Sequence, residues 1–231
     1  MGGWYYYGID SLYLYLVVPA IIIAVVLQIR VKTTFSKYSA CHSALSGADA
    51  ARLVLEANGV TGVRIERVSG SLTDHYDPRT NVIRLSDSVY GACNVSAVGV
   101  AAHEAGHAVQ YAKSYLPIKI RSVILPVCNL GSQLSLPLLI VGLIFNFYFL
   151  VKLGVIFFCA ALAFQLITLP IEFNASRRAV DTLRGQNGIV SDDDLSGIKR
   201  VLSAAAMTYV SAAFISLMQL IRLIALTNRK R

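Results

Sequence analysis

Long uncharged apolar stretches dominate the hydrophobic pattern of the chain. Residues 11–29, 122–151 and 153–171 contain no charged side chain, and a helix of each length can cross the roughly 30 Å hydrocarbon core of a bilayer. A fourth uncharged stretch, 201–221, is less apolar. This pattern predicts a mainly α-helical, multi-pass membrane protein.

The region 30–121 has instead the patterning of a domain outside the bilayer. Residues 46–58 predict a short helix with capping residues at both ends. Residues 63–68 alternate apolar and polar side chains as a strand does, and 82–85 do so more weakly. Residues 95–112, rich in alanine and valine, predict a buried helix. We therefore expect a small α+β region within a helical bundle.

These patterns divide the chain into five predicted segments. They are an N-terminal transmembrane anchor (1–29), a region outside the bilayer (30–121), a transmembrane helical hairpin (122–171), a helix that follows the hairpin (172–200) and a C-terminal apolar helix with a basic tail (201–231).

The basic residues predict the orientation of these segments. Three of them lie between positions 30 and 37, directly after the first apolar stretch, whereas the first ten residues contain none. The positive-inside rule therefore places the region 30–121 at the cytoplasmic face of the plasma membrane. Lys152 is the only charge between the second and third apolar stretches, which predicts the turn of the hairpin there.

The composition agrees with a membrane protein and argues against a nucleic-acid partner. Of the residues, 55% are hydrophobic and 15% charged, with a net charge of +8. The basic residues flank apolar segments and form no stripe interleaved with aromatic residues. The four cysteines show no C-x-x-C spacing, so we expect neither a disulfide framework nor a thiolate metal site.

The sequence His103-Glu104-Ala105-Gly106-His107 lies within the predicted buried helix. Residues four apart share one face of a helix, so both imidazoles can bind one zinc ion. Glu104 can then take a proton from a zinc-bound water and pass it to the leaving amine, as general base and acid. The motif predicts a zinc hydrolase with one zinc ion per chain.

A catalytic zinc needs a third protein ligand and an open position. We predict Glu172, because a carboxylate directly after a membrane hairpin is otherwise unusual; the alternative is a simple ion pair with Arg177 or Arg178. His75 is a rival ligand, but a loop histidine beside aspartates fits a substrate-side role better. Arg177 and Arg178 could polarise a carbonyl or hold lipid headgroups.

Four motifs carry a resemblance to the YugP-like family of bacterial membrane neutral zinc metallopeptidases, over nearly the full length. They occupy 72–79 (LTDHYDPR), 82–90, 101–110 (AAHEAGHAVQ) and 169–179 (LPIEFNASRRA). The resemblance implies a neutral zinc endopeptidase with several membrane spans, a gluzincin-like catalytic region outside the bilayer and physiological substrates that are largely undefined.

The chain is also similar, more distantly, to membrane peptidases of the HtpX and CAAX-prenyl-protease type. Their third ligand is the glutamate of a Glu-aromatic-x-Ala-Asp motif, which Glu172 matches. Ser176 stands in place of the final aspartate, which in those enzymes steadies a zinc-bound histidine. The orienting partner of His103 must then be another group, with Asn174 and Asp181 as candidates.

The sequence favours a membrane-embedded zinc metalloendopeptidase, and we expect the strand at 82–85 to offer an exposed edge to an extended substrate. One alternative is an intramembrane protease of the site-2 type, in which residues 95–112 would cross the bilayer. Another is a zinc-binding membrane scaffold without proteolysis. We expect the lipid bilayer and a peptide or membrane-protein substrate as partners.

Overall fold

A computed structural model describes residues 11–185 and 188–229. The first ten residues of the predicted anchor and the end of the basic tail lie outside this range. A π-helical segment, Tyr13–Val17, leads into the first of six α-helices. The α-helices are α1 (Val18–Ser39), α2 (Gly47–Ala57), α3 (Val95–Ala112), α4 (Leu116–Ile144), α5 (Tyr148–Arg184) and α6 (Asp192–Arg229); the strands are β1 (Arg64–Val68), β2 (His75–Asp77) and β3 (Val82–Ser86).

Four helical segments of the described chain are long and apolar enough to cross a membrane: Tyr13–Ser39, Leu116–Ile144, Tyr148–Arg184 and Asp192–Leu226. Large apolar side chains stand exposed along them, such as Val123 at 77% and Val127 at 69%. Lipid contact explains such exposure. The prediction of a mainly helical chain with a small sheet is confirmed, and the four helical segments are candidate membrane spans.

The turn of the hairpin differs from the prediction. It lies at residues 145–147, where Asn146 adopts a left-handed backbone (φ 53°), as residues just beyond a helix end often do. Lys152, the predicted turn, lies inside α5, with its Nζ 4.8 Å from the centroid of the Tyr148 ring. A single lysine with a long apolar stem does not end a helix, so the prediction was wrong.

Helix α5 continues without a break through Pro170 to Arg184. Glu172 therefore lies on the second helix of the hairpin rather than at the start of a separate helix. The final long helix begins earlier than the predicted 201, at Asp192, where the Ser191 hydroxyl accepts a hydrogen bond from the Asp194 amide (3.0 Å).

The chain forms two compact units. One comprises the chain up to Gln28, Ile120–Leu169 and the chain from Thr208. Within it, α4 and α5 pack closely at small residues: a side-chain carbon added at Gly154 would lie 2.9 Å from the Ser135 carbonyl oxygen. Small residues at such positions let transmembrane helices approach each other.

The second unit comprises Ile29–Lys119 and Pro170–Met207. Its sheet has the order β1-β3-β2, with β1 parallel and β2 antiparallel to β3. The predicted exposed edge at 82–85 is therefore wrong, because β3 is the central strand. Its alternation is weak because the strand is largely buried on both faces.

Capping residues position the two short helices of this unit. The Ser46 hydroxyl accepts a hydrogen bond from the Asp49 amide (3.1 Å) at the start of α2, as the sequence predicted. Asn94 accepts one from the Ala97 amide (2.9 Å) at the start of α3. Each bond satisfies an amide that has no partner inside its helix. Helix α3, which carries the motif, is thereby fixed against α2 and the sheet in a core rich in alanine and valine.

Candidate metal centre

Three side chains converge between α3 and α5. His103 Nε2 lies 3.1 Å from His107 Nε2. Glu172 Oε2 lies 3.4 Å from the first nitrogen and 3.7 Å from the second. Of the described residues, these three form the cluster that could hold a metal ion.

The spacing of the cluster fits zinc. Tetrahedral bonds of 2.0–2.1 Å put two ligand atoms about 3.3 Å apart, and the separations here are 3.1, 3.4 and 3.7 Å. Glu172 is only 4% exposed, and its Oε2 is buried without a hydrogen-bond partner among the described residues. A buried carboxylate oxygen without a donor is costly, and a cation between the three atoms would satisfy it.

A close contact between the two helices sets this geometry. A side-chain carbon on Gly106 would lie 2.5 Å from the carbonyl oxygen of Ala175. Only glycine lets the α5 backbone approach α3 this closely. Gly106, which directly precedes His107, therefore allows Glu172 to reach the two motif histidines.

Each histidine is oriented through its other ring nitrogen. His103 Nδ1 lies 3.0 Å from the Ser176 hydroxyl, and His107 Nδ1 lies 3.0 Å from Gln110 Oε1. Such contacts fix the ring and the tautomer of a metal-binding histidine. Ser176, which replaces the expected acid, is itself the partner of His103.

The two residues predicted as partners of His103 have other contacts. Asn174 Oδ1 accepts hydrogen bonds from Gln110 Nε2 (3.1 Å) and Arg178 Nε (2.8 Å). Asp181 forms an exposed ion pair with Arg184 (3.8 Å). Gln110 was not predicted as a site residue, although its position three residues after His107 puts it on the same helix face.

Glu104 lies beside the cluster and outside it. Its Oε2 accepts a hydrogen bond from the backbone amide of Tyr76 (3.0 Å), which belongs to β2. Strand β2, absent from the sequence prediction, therefore lies along the motif helix. The contact leaves the Glu104 carboxylate close to the site but separate from the three candidate ligands.

The remaining predicted residues lie around this centre. His75 is exposed on β2, and its Nδ1 lies 2.8 Å from the Thr73 carbonyl oxygen, so it is not part of the cluster. Arg177 is exposed. Arg178 Cζ lies 5.9 Å from the centroid of the Tyr115 ring while its Nε contacts Asn174. The structure thus gives Arg178 a place in the hydrogen bonding around the site.

The electrostatics of the site favour a cation. Burial by itself would lower the pKa of His107, but the nearby carboxylates of Glu172 and Glu104 outweigh burial and raise the pKa. A divalent cation would supply the positive charge that the two carboxylates attract.

Comparison with known proteins places the chain in a family. Residues 13–228 match the model of the family described as "Putative neutral zinc metallopeptidase". The "Putative membrane protease YugP" of Bacillus subtilis (strain 168) is 43% identical over 215 residues, which cover 92% of this chain and 95% of that protein. No solved structure matches the chain significantly. The predicted resemblance is confirmed: the chain belongs to the "Putative neutral zinc metallopeptidase" family.

Proposed function

We propose that the chain is a membrane-embedded zinc metalloendopeptidase with a gluzincin-like site. His103, His107 and Glu172 would hold one zinc ion, and Glu104 would be the general base and acid. The observation that carries this proposal is the convergence of three ligand atoms at 3.1 to 3.7 Å beside a separate glutamate. Three protein ligands leave the fourth position free, as a catalytic zinc requires.

The mechanism assigns a separate task to each group. When bound, zinc would acidify a water molecule and polarise the scissile carbonyl. Glu104 would take a proton from the attacking water and later give it to the leaving nitrogen. The Tyr76 amide, 3.0 Å from Glu104 Oε2, holds this carboxylate in place. Ser176 and Gln110 keep the two histidine rings in position.

Strand β2 is the edge that a substrate could use. It pairs with β3 on one side, and its Tyr76 amide points away from β3, toward Glu104. We propose that an extended peptide pairs, through main-chain hydrogen bonds, with the part of this outer edge that Glu104 does not engage. Peptides with single N-methylated amides test this. If the peptide pairs as a strand, methylation should raise KM at every second position of the peptide, where the amide faces β2. Equal KM values for all the methylated peptides would contradict strand pairing.

The charge pattern supports a cytoplasmic location for the site, in the plasma membrane. The site-2-type alternative would need α3 to cross the bilayer. The four candidate spans of the described chain do not include α3, most of which is buried. Nothing in the structure favours this alternative or a scaffold without proteolysis.

Substitution of the base tests the proposed activity. We expect Glu104→Gln to lower kcat by about 10²- to 10⁴-fold, the typical contribution of general acid–base catalysis, while the zinc content stays that of the wild type. Glu56→Gln, on an exposed glutamate of α2, is the control and should retain activity. Cleavage at the wild-type rate by the Glu104→Gln protein would refute the mechanism.

A further inference from the structure

We propose that Arg178, Asn174 and Gln110 form a hydrogen-bonded chain that fixes the proton of His107 on Nδ1, so that Nε2 is presented to the metal. This proposal rests on the proposed zinc site. The three residues would be positioning residues, since none of them belongs to the set of three candidate ligands. Gln110 is fully buried, in keeping with a structural task inside the site.

Arg178, at the outer end of this row of hydrogen bonds, determines which atom donates in each of them. A guanidinium only donates, and Arg178 Nε lies 2.8 Å from the side chain of Asn174. The atom of Asn174 at this contact must therefore be its carbonyl oxygen. That same oxygen lies 3.1 Å from the side-chain amide of Gln110. Gln110 must then direct its NH₂ group toward Asn174.

A second contact fixes Gln110 in the same orientation. Its Nε2 lies 2.8 Å from the backbone carbonyl oxygen of Ile171, which can only accept. Its Oε1 is consequently the atom that faces His107 Nδ1, at 3.0 Å. Because Oε1 cannot donate, the imidazole must carry its proton on Nδ1. The lone pair of a neutral His107 then lies on Nε2, within the cluster.

The same side chain also positions the third ligand. Ile171 directly precedes Glu172 on α5, so the bond from Gln110 ties the backbone beside Glu172 to α3. One buried amide thus fixes both the tautomer of one ligand and the place of another. Its two donor hydrogens and one acceptor oxygen all have partners inside the unit.

Nitrogen-15 NMR on the zinc-free, full-length protein in detergent tests the tautomer. Spectra of histidine-labelled protein, recorded at rising pH until the His107 signals are those of a neutral ring, should show His107 protonated at Nδ1. We expect Gln110→Leu, which removes the acceptor that faces Nδ1, to give a mixture of tautomers and to lower zinc affinity about 10- to 100-fold. Asn174→Leu and Arg178→Leu leave the Ile171 carbonyl to hold the Gln110 amide, so each should give a smaller share of the second tautomer. Asn174→Asp keeps an oxygen acceptor and should retain the wild-type spectrum.

Arg184→Leu is the matched control, because Arg184 lies on the same helix and is exposed. It should change neither the spectrum nor the zinc affinity. Protonation of wild-type His107 at Nε2 would overturn the proposal, as would an unchanged tautomer in Gln110→Leu or in both Asn174→Leu and Arg178→Leu. If wild-type protein bound no zinc yet showed the Nδ1 proton, the proposed function would fail while the hydrogen-bonded chain stood.

Discussion

At the scale of single residues, the buried carboxylate of Glu172 is the group that makes the site suited to a cation. Its buried Oε2 faces two imidazole nitrogens and accepts no hydrogen bond within the described chain. An isolated buried carboxylate would be neutralised or would bind a cation. The nearby hydroxyl of Ser176 orients the His103 ring through Nδ1. A carboxylate is a common partner for a metal-binding histidine, but other groups can orient the ring as well.

Removal of that hydroxyl should weaken metal binding. We expect Ser176→Ala to lower zinc affinity by about 10- to 100-fold, because His103 loses the partner that orients its ring. Ser176→Thr keeps the hydroxyl and should stay close to the wild type. Competition with a chelator measures the zinc affinity of each variant. The exposed Ser203→Ala is the control, and equal affinities for all three variants would contradict a role for Ser176.

The sequence predicted part of this residue-level arrangement. The four-residue spacing of His103 and His107 makes their convergence a property of any helix. Glu172 was predicted because a carboxylate is unusual after an apolar stretch. Gln110 and Ser176 were missed because their contacts depend on how two helices pack, and polar side chains at such positions have many other possible partners.

At the scale of elements, the approach of α3 to α5 decides whether three ligands meet. The backbone of α5 lies where a side chain at Gly106 would stand. Strand β2 and its tight connection to β3 place Tyr76 against Glu104 on the other side of α3. Strand β2 was not predicted because three residues carry too little alternation to be recognised.

A methyl group at Gly106 should separate the two helices. The added carbon would lie 2.5 Å from the Ala175 carbonyl oxygen, and overpacking of this kind costs about 1 to 3 kcal/mol. We expect Gly106→Ala to lose zinc affinity even where the protein still folds, although alanine favours helix by about 1 kcal/mol. Gly91→Ala, with open space around it, is the control. Wild-type zinc affinity in Gly106→Ala would contradict the packing argument.

Acid should loosen the connection between β2 and β3. Hydrogen bonds from the Thr80 hydroxyl and the Arg79 amide lower the pKa of Asp77 from 3.8 to about 2. Because the folded pKa lies below the unfolded one, this carboxylate stabilises the fold fully above 3.8, and its contribution is lost as the pH falls toward 2.

Thermal unfolding of wild type and Asp77→Asn over this pH range measures the contribution of the carboxylate. The wild type should be more stable above the range, and the difference should shrink as the pH falls through it. A difference independent of pH would show that Asp77 does not stabilise the connection through its charge.

At the scale of the whole molecule, hydropathy identified the membrane-spanning character of the chain but not its turns. Uncharged stretches predicted the spans, because burial of charge in hydrocarbon is costly. The bounds were less accurate: the hairpin turns at 145–147, and α5 continues beyond the apolar stretch to Arg184. A helix can carry polar residues past the bilayer without any break that the sequence would reveal.

The native cysteines offer a test of orientation. Cys41 and Cys93 are exposed in the unit that carries the metal centre, whereas Cys128 is buried in the other unit. Cytoplasmic orientation predicts that, in intact cells, a membrane-permeant maleimide labels Cys41 and Cys93 and an impermeant one does not. Cys128→Ser with Cys159→Ser removes the remaining thiols as background. Labelling of Cys41 and Cys93 by the impermeant reagent would place the site on the outer face.

The zinc content of purified protein tests the central claim most directly. After dialysis against metal-free buffer, we expect about one zinc per chain in the wild type and in Glu104→Gln, as a three-ligand catalytic site retains its metal. Glu172→Gln, which keeps the size of the side chain but removes its charge, should lose most of its zinc. Equal zinc in Glu172→Gln and wild type would contradict the ligand set and with it the proposed centre.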